Sequence, residues 1–308
     1  MNPQDLTIYI ATHNRGAYLE ETLESLRAQT LQGFRWIVGD NASTDDTPAR
    51  LEKWAQRGVR ICRSETLLAP WRNIRRGADL AETPWVVLFH DDDLLHPRFV
   101  EQVARVLSAD PEAALVSAGF RSTPAPSPSD WTALAGIAKP CPDRASFATA
   151  LYRGYAPHFG ATVYRTQVAR RVEGRVEEFG KICDYPFILE NLTADRHAIL
   201  LPEAWVQYRI HPGQDIQGRA SGPFLGEVLA LHRYYRGLMG TSLFKGSGLV
   251  WLLWNDQRLE HLLSAVGLSY RQSRREALRA GATTRLSMAF GVAKRLFARV
   301  RHGRRFHA

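Results

Sequence analysis

The chain is poor in sulfur. Three cysteines (Cys62, Cys141 and Cys183) and three methionines are all that its 308 residues contain. The cysteines are far apart and odd in number. They offer neither a disulfide framework nor the paired spacing of a zinc site, and such usage fits a reducing cytoplasm. Long hydrophobic runs are also missing. No window of about 18 uninterrupted apolar residues exists, which argues against a membrane-spanning helix. The N-terminus enters a strand-like segment almost at once, with no basic stretch and apolar core before it, so no secretory signal is expected. Acid is short relative to base: 31 Asp and Glu stand against 40 Lys and Arg, a formal net charge of +9. That balance suits phosphorylated substrates, anionic lipid or nucleic acid. Much of the excess is Arg near the C-terminus, so it says little about the first half.

What is present is organised around Trp85-Val86-Val87-Leu88-Phe89-His90-Asp91-Asp92-Asp93. The apolar run is short and lacks polar alternation, so it reads as a fully buried strand. Three carboxylates follow at its C-terminal end, the edge of a parallel sheet where ligands bind. Adjacent carboxylates repel one another and are costly to desolvate without a positive partner. A divalent cation holding a phosphate is the simplest such partner. The alternative is an acidic turn in which Asp93 helps to cap the next helix.

Strands and helices alternate around this stretch. Leu6 to Ala11 is strand-like, and Leu19, Leu23 and Leu26 fall at helical spacing over 17–28. A second strand, 34–39, leads into Asp40-Asn41-Ala42-Ser43-Thr44-Asp45-Asp46-Thr47 and a helix over 48–57. A short strand (58–63), a helix (71–82), the central strand, another helix (97–108) and a strand (114–117) complete the rhythm. This argues for an α/β fold with a mostly parallel sheet flanked by helices. Residues 121–143 are Pro- and Ser-rich and read as a flexible surface loop, either a lid or a decoration. Later segments read as a helix (147–152), a strand (158–164), a short helix (165–172), a helix from 184 through 193 and a strand (204–211). Four helices are expected near 223–239, 247–266, 269–280 and 283–301. The last is basic and amphipathic. It either lies on an anionic membrane surface or packs on the protein's own body.

Four ordered stretches resemble the family 2 glycosyltransferases, whose nucleotide-binding domain has the Rossmann-like GT-A fold. They are Ile10-Ala11-Thr12-His13-Asn14-Arg15, then Gly39 to Thr47, then Trp71-Arg72-Asn73 with Gly77 and Ala78, and Phe89-His90-Asp91-Asp92-Asp93 with Pro97. The resemblance implies a GT-A domain over 1–218, with a nucleotide-binding half to about 120 and an acceptor half over about 143–218. A helical extension over 219–308 follows. It implies that Thr12, Asn14, Arg15, Asp40, Arg72 and Asp91 line the nucleotide-sugar site, with Asp40 accepting a hydrogen bond from the base. Asp92 and His211, the latter ending a Tyr-Arg-x-His strand, would hold Mn²⁺ or Mg²⁺. Asp184 would be the base of an inverting transfer. Two positions depart from the family pattern. His90 stands where the first acid of the metal motif is usual, and Cys183 replaces the Glu before the proposed base. Which of His90, Asp91 and Asp93 contacts the ribose stays open.

The expected activity is transfer of a sugar from a UDP- or dTDP-sugar to a saccharide or lipid-linked acceptor of the cell envelope. The expected location is cytoplasmic or peripheral on the membrane face. A sugar-nucleotide pyrophosphorylase needs a Gly-rich basic loop where this chain has Thr-His-Asn-Arg-Gly. A nucleic-acid binder needs a basic stripe with stacking aromatics, whereas the Arg cluster here is terminal, so no nucleic acid is expected. An inactive transferase-like scaffold is the remaining alternative.

Overall fold

The computed structural model describes residues 1–131, 138–152, 155, 157–212 and 222–240. The chain divides into two compact units. One comprises Met1–Val176 with Cys183–Gln214, the other Glu177–Ile182 with Asp215–Ala308.

The first unit is built on a nine-stranded sheet. Its strands are β1 (Leu6–Thr12), β2 (Arg35–Asp40), β3 (Arg60–Ile61), β4 (Trp85–His90), β5 (Leu94–Leu95), β6 (Leu115–Thr123), β7 (Lys139–Cys141), β8 (Pro157–Arg165) and β9 (Ala198–Arg209). The order is β3-β2-β1-β4-β8-β6-β9-β5, with β7 also on β9. The β3-β2-β1-β4 run is parallel. Beyond it the sheet is mixed: β8 is antiparallel to both β4 and β6, and β6 is parallel to β9. The chain therefore builds outward from β1 to β3 and then returns to β1's other side as β4. A crevice opens at the C-terminal ends of neighbouring strands where the order reverses, and ligands bind there. In register, Thr12 lies beside Asp40 and Ala11 beside His90.

The helices of this unit are α1 (Gly16–Arg27), α2 (Thr47–Ala55), α3 (Pro70–Leu80), α4 (Phe99–Ala109), α5 (Arg144–Tyr152), α6 (Thr166–Ala169) and α8 (Asp184–Glu190); α7 (Val176–Phe179, all but its first residue) and α9 (Gly222–Met239) belong to the second unit. Period-2 alternation sends Ile8, Ile10, Val87 and Phe89 to one face. There they share a core with Leu19, Leu23 and Leu26 of α1, Leu51 and Trp54 of α2, and Phe99 and Val103 of α4. Removing one such Leu side chain costs about 2–5 kcal/mol. The opposite face carries Tyr9 of β1. A Cβ on Gly77 of α3 would lie 2.3 Å from the Tyr9 ring, and one on Gly39 would lie 1.8 Å from its Oη. The Tyr9 hydroxyl donates to the Asn73 carbonyl at 2.8 Å. Gly39, Gly77 and Asn73 are thus fixed by a single tyrosine.

Several elements depart from the sequence expectations. β6 runs on through Thr123, pairing with β9 across two register shifts, so residues 121–123 are strand rather than loop. β9 begins at Ala198, six residues before the expected start. α8 ends at Glu190. The Pro- and Ser-rich segment that follows β6 is tied down by Gln207. Its carboxamide donates to the Ser127 and Asp130 carbonyls (2.9 and 2.7 Å) and accepts the Ser127 N–H (2.7 Å). A polar composition signals a surface path, but the tether comes from a side chain 80 residues away.

In the second unit, the Glu227 carboxylate accepts the Lys181 N–H at 3.3 Å, and the Phe179 and Tyr234 rings meet edge-on. The helices expected over 247–301, including the basic one, lie outside the described residues. Among those described, no helix is long and apolar enough to cross a membrane.

Candidate functional site

The site grows from the ends of β1, β2 and β4. After β1 the chain turns through Asn14, whose φ of +51° lies in the left-handed region that Asn tolerates. The Asn14 side-chain oxygen accepts the Thr44 and Asp45 N–H groups at 2.8 and 3.3 Å. Its own N–H donates to Ser43 Oγ at 2.9 Å, and the Arg15 N–H donates to Thr47 Oγ1 at 3.2 Å. These contacts lock the β1–α1 and β2–α2 loops together. Asp45 accepts the Thr47 N–H at the start of α2 (3.0 Å).

Asp40 ends β2 and is buried. Its Oδ1 accepts the Ser43 N–H at 3.1 Å, and its Oδ2 faces Arg63 Nη1 at 3.2 Å. An ionised carboxylate has about four lone-pair positions, so these partners leave acceptor capacity for a ligand N–H. Arg63 was not among the expected site residues; it follows β3 and carries no local motif. Arg72 is exposed on the first turn of α3. It makes no hydrogen bond or ion pair among the described residues.

The three carboxylates after β4 have three different environments. Asp91 is buried beside Arg15, Thr12 and His90. Burial and the charge of Asp92 push its pKa up to about 7, against the opposing pull of Thr12, Arg15 and His90. Thr12 is itself buried, and its hydroxyl has no hydrogen-bond partner among the described residues. Asp92 faces the other way. Its Oδ2 lies 3.0 Å from Nε2 of His211, and its carbonyl accepts Arg209 Nε–H at 2.8 Å. Arg209 also pairs with Glu21 and lies over the Tyr18 ring. Tyr18 in turn packs on His211, with ring centroids 4.5 Å apart.

Asp93 does not cap a helix, because α4 begins only at Phe99. It is fully buried. Its Oδ1 accepts the Arg209 N–H at 2.9 Å. Its Oδ2 lies 3.1 Å from His158 Nε2 and 3.5 Å from His90 Nδ1. Burial works against its charge, but the two imidazoles hold the carboxyl well below the usual range. For His90, burial opposes protonation, yet Asp93, Asp92 and Asp184 together raise its pKa to about 9. His158 was missed in the sequence because its partner lies 65 positions away and its strand gives no local cue.

Asp184 is the first residue of α8, preceded by buried Cys183. Burial raises its pKa, against the opposing charges of His90 and His158. Its carboxylate accepts no hydrogen bond among the described residues.

A divalent cation fits this donor set. Asp92 supplies a hard oxygen and His211 an imidazole nitrogen. Two adjacent ligands of an octahedral ion with bonds near 2.1 Å stand about 3.0 Å apart, the separation that Asp92 and His211 show.

Fold and site together define an α/β protein whose acidic cluster lies at the strand-order reversal between β1 and β4. The description "Glycosyl transferase family 2" matches residues 7–170, and the chain belongs to that family. An uncharacterized glycosyltransferase of Haemophilus influenzae is 29% identical over 106 residues, 34% of this chain and 35% of that protein. The putative glycosyltransferase EpsH of Bacillus subtilis is 28% identical over 108 residues, 34% of this chain and 31% of that one. The matches thus span about a third of these curated relatives. Among solved structures, S. aureus TarS 1–349 in complex with UDP-GlcNAc superposes with a TM-score of 0.59 at 14% identity, covering 97% of this chain and 92% of that one. The mannosyltransferase PcManGT from Pyrobaculum calidifontis, in complex with GDP-Man and Mn²⁺, gives 0.52 at 15% identity, covering 95% and 87%. These likenesses establish the GT-A fold.

Proposed function

We propose that the chain is an inverting, metal-dependent glycosyltransferase. It moves a sugar from a nucleoside-diphosphate sugar to a hydroxyl of a saccharide or lipid-linked acceptor. The observation that carries this reading is the pairing of Asp92 with His211 beside Asp91 and Thr12 at the strand-order reversal. TarS with UDP-GlcNAc and PcManGT with GDP-Man are consistent with a nucleotide-sugar donor.

Asp40 takes the N–H of a uracil or thymine ring, which favours a UDP- or dTDP-sugar. Thr12, Asn14 and Arg15 border the nucleotide from the β1 turn, and Arg72 reaches it from α3. The buried Thr12 hydroxyl and Asp91 meet the ribose or sugar. Asp92 and His211 would hold Mn²⁺ or Mg²⁺, which would supply positive charge to a departing diphosphate. Asp184 accepts the proton of the acceptor hydroxyl. That oxygen forms its bond to the anomeric carbon as the carbon–phosphate-oxygen bond breaks, and the electron pair leaves with the nucleoside diphosphate. A carboxyl whose pKa is raised by burial is a stronger base than a solvated one. The basic helix expected over 283–301 is proposed to contact an anionic membrane surface, with the cytoplasm as the location.

Product analysis tests the reading. Incubation with UDP-, dTDP- and GDP-sugars, Mn²⁺ and saccharide or lipid-linked acceptors is expected to release a nucleoside diphosphate as the sugar is transferred, and Asp184→Asn is expected to lower release by about 10²–10⁴-fold while donor binding persists. Release of pyrophosphate from a nucleoside triphosphate and a sugar 1-phosphate, with no nucleoside diphosphate released from the sugar nucleotides, would overturn the reading in favour of a pyrophosphorylase.

A further inference from the structure

The Asp92–His211 pair leaves a second group of metal-ligating side chains unused. His90 Nδ1, Asp93 Oδ2 and His158 Nε2 all lie within 4.8 Å of one another. We propose that these three atoms bind a transition-metal ion of the Zn²⁺ or Co²⁺ kind, at a site separate from the one for the Mn²⁺ or Mg²⁺ of the donor.

Three observations support the site. First, Asp93 Oδ2 is completely buried. Two imidazole nitrogens, at 3.1 and 3.5 Å, compensate its charge without well-formed hydrogen bonds. A buried carboxylate needs such pairing, and a cation between the three atoms would supply it in place of the imidazole protons. Second, the two Asp–His spacings suit such an ion. Ligands of a tetrahedral zinc with bonds of about 2.0–2.1 Å stand about 3.3 Å apart, and the two Asp–His separations bracket that value. Third, the oxygen is already oriented. The Arg209 N–H holds Asp93 Oδ1 at 2.9 Å, the kind of outer contact that fixes a ligating carboxylate.

Two imidazoles and one carboxylate favour a borderline ion over Mg²⁺. His90, with 27% of its side chain exposed, gives a route of entry to ligands of which the other two are buried. Neighbouring carboxylates thus serve separate ions: Asp92 turns to His211, Asp93 to the two histidines. The ion would tie the end of β4 to β8 and fix the base on which Asp91 and Asp92 stand.

The test is Co²⁺ titration of the full-length chain in excess Mg²⁺, read by visible d–d absorption. The intense spectrum of a four-coordinate ion is expected at one equivalent, with displacement by Zn²⁺. His158→Gln and His90→Gln should each weaken binding about tenfold or more, whereas Asp92→Ala and His211→Ala should keep the band. Because His90 is partly exposed, its variant is expected to fold, and circular dichroism checks both. Absence of the band in folded wild type, or its persistence in both histidine variants, would overturn the proposal. Neither result bears on donor binding, which Asp92→Ala tests separately.

Discussion

Nε2 of His211 and Oδ2 of Asp92 lie 3.0 Å apart although 119 positions separate them in the chain. β4 delivers the acid to the sheet edge, and the chain leaving β9 delivers the imidazole. Arg209 and Tyr18 hold both in place.

The first prediction concerns that support. Arg209→Met removes the donor to the Asp92 carbonyl, the partner of Glu21 and the cation over Tyr18. Mn²⁺ affinity should fall, with a rise in donor KM larger than the fall in kcat. Calorimetric titration of Mn²⁺ and steady-state kinetics read the two effects. An unchanged Mn²⁺ affinity would show that Arg209 does not position Asp92.

The second concerns pH and metal. Asp91 carries a pKa pushed up to about 7. Below that pH it is neutral; above it, it is an anion. A nearby cation favours the anion, so metal binding should release protons near neutrality and tighten as pH rises from 6 to 8. Titrations in two buffers of different ionisation enthalpy count those protons. No proton release at pH 7 would contradict the assigned environment.

The third concerns Asp184. Burial raises its pKa, so the group is protonated, and useless as a base, up to a higher pH than a solvated carboxylate. The acid limb of kcat/KM should therefore lie above the ordinary carboxylate range. Asp184→Asn should lower kcat by about 10²–10⁴-fold and flatten that limb. A variant with wild-type kcat would remove Asp184 from the chemistry.

The fourth concerns the fold. Gly77→Ala places a methyl 2.3 Å from the Tyr9 ring and should destabilise the protein by about 1–3 kcal/mol. The double variant Tyr9→Leu/Gly77→Ala should cost less than the sum of the two single changes. Urea unfolding measures both, and strict additivity would show that the two residues do not meet.

Much of this was legible where the signal was local. Val86 to Phe89 form an unbroken apolar run, so their burial could be read directly, and the acids after them mark the sheet edge. Leu19, Leu23 and Leu26 gave α1 by spacing alone. The Gly77 within the third motif could be seen, but its cause could not, because Tyr9 is 68 positions earlier. Contacts that close across the sheet left no trace in any window. Asp93 meets His158 and Arg209, Asp40 meets Arg63, and Gln207 ties down residues 127–130. In each pair at least one residue has an ordinary local context, and only the fold brings the two together. The extension of β6 to Thr123 was hidden for a related reason: its polar end is stabilised by β9, not by its own propensity.

The most direct test of the central claim is titration calorimetry of UDP-GlcNAc, a dTDP-sugar and GDP-mannose into the full-length chain. Each is run with and without Mn²⁺, on wild type, Asp92→Ala and His211→Ala. The structure predicts that one nucleotide class binds, that Mn²⁺ tightens it about tenfold or more (about 1.4 kcal/mol), and that both variants lose this gain. Equal Mn²⁺-dependent binding by folded Asp92→Ala, or no binding of any donor by wild type at millimolar concentration, would contradict it.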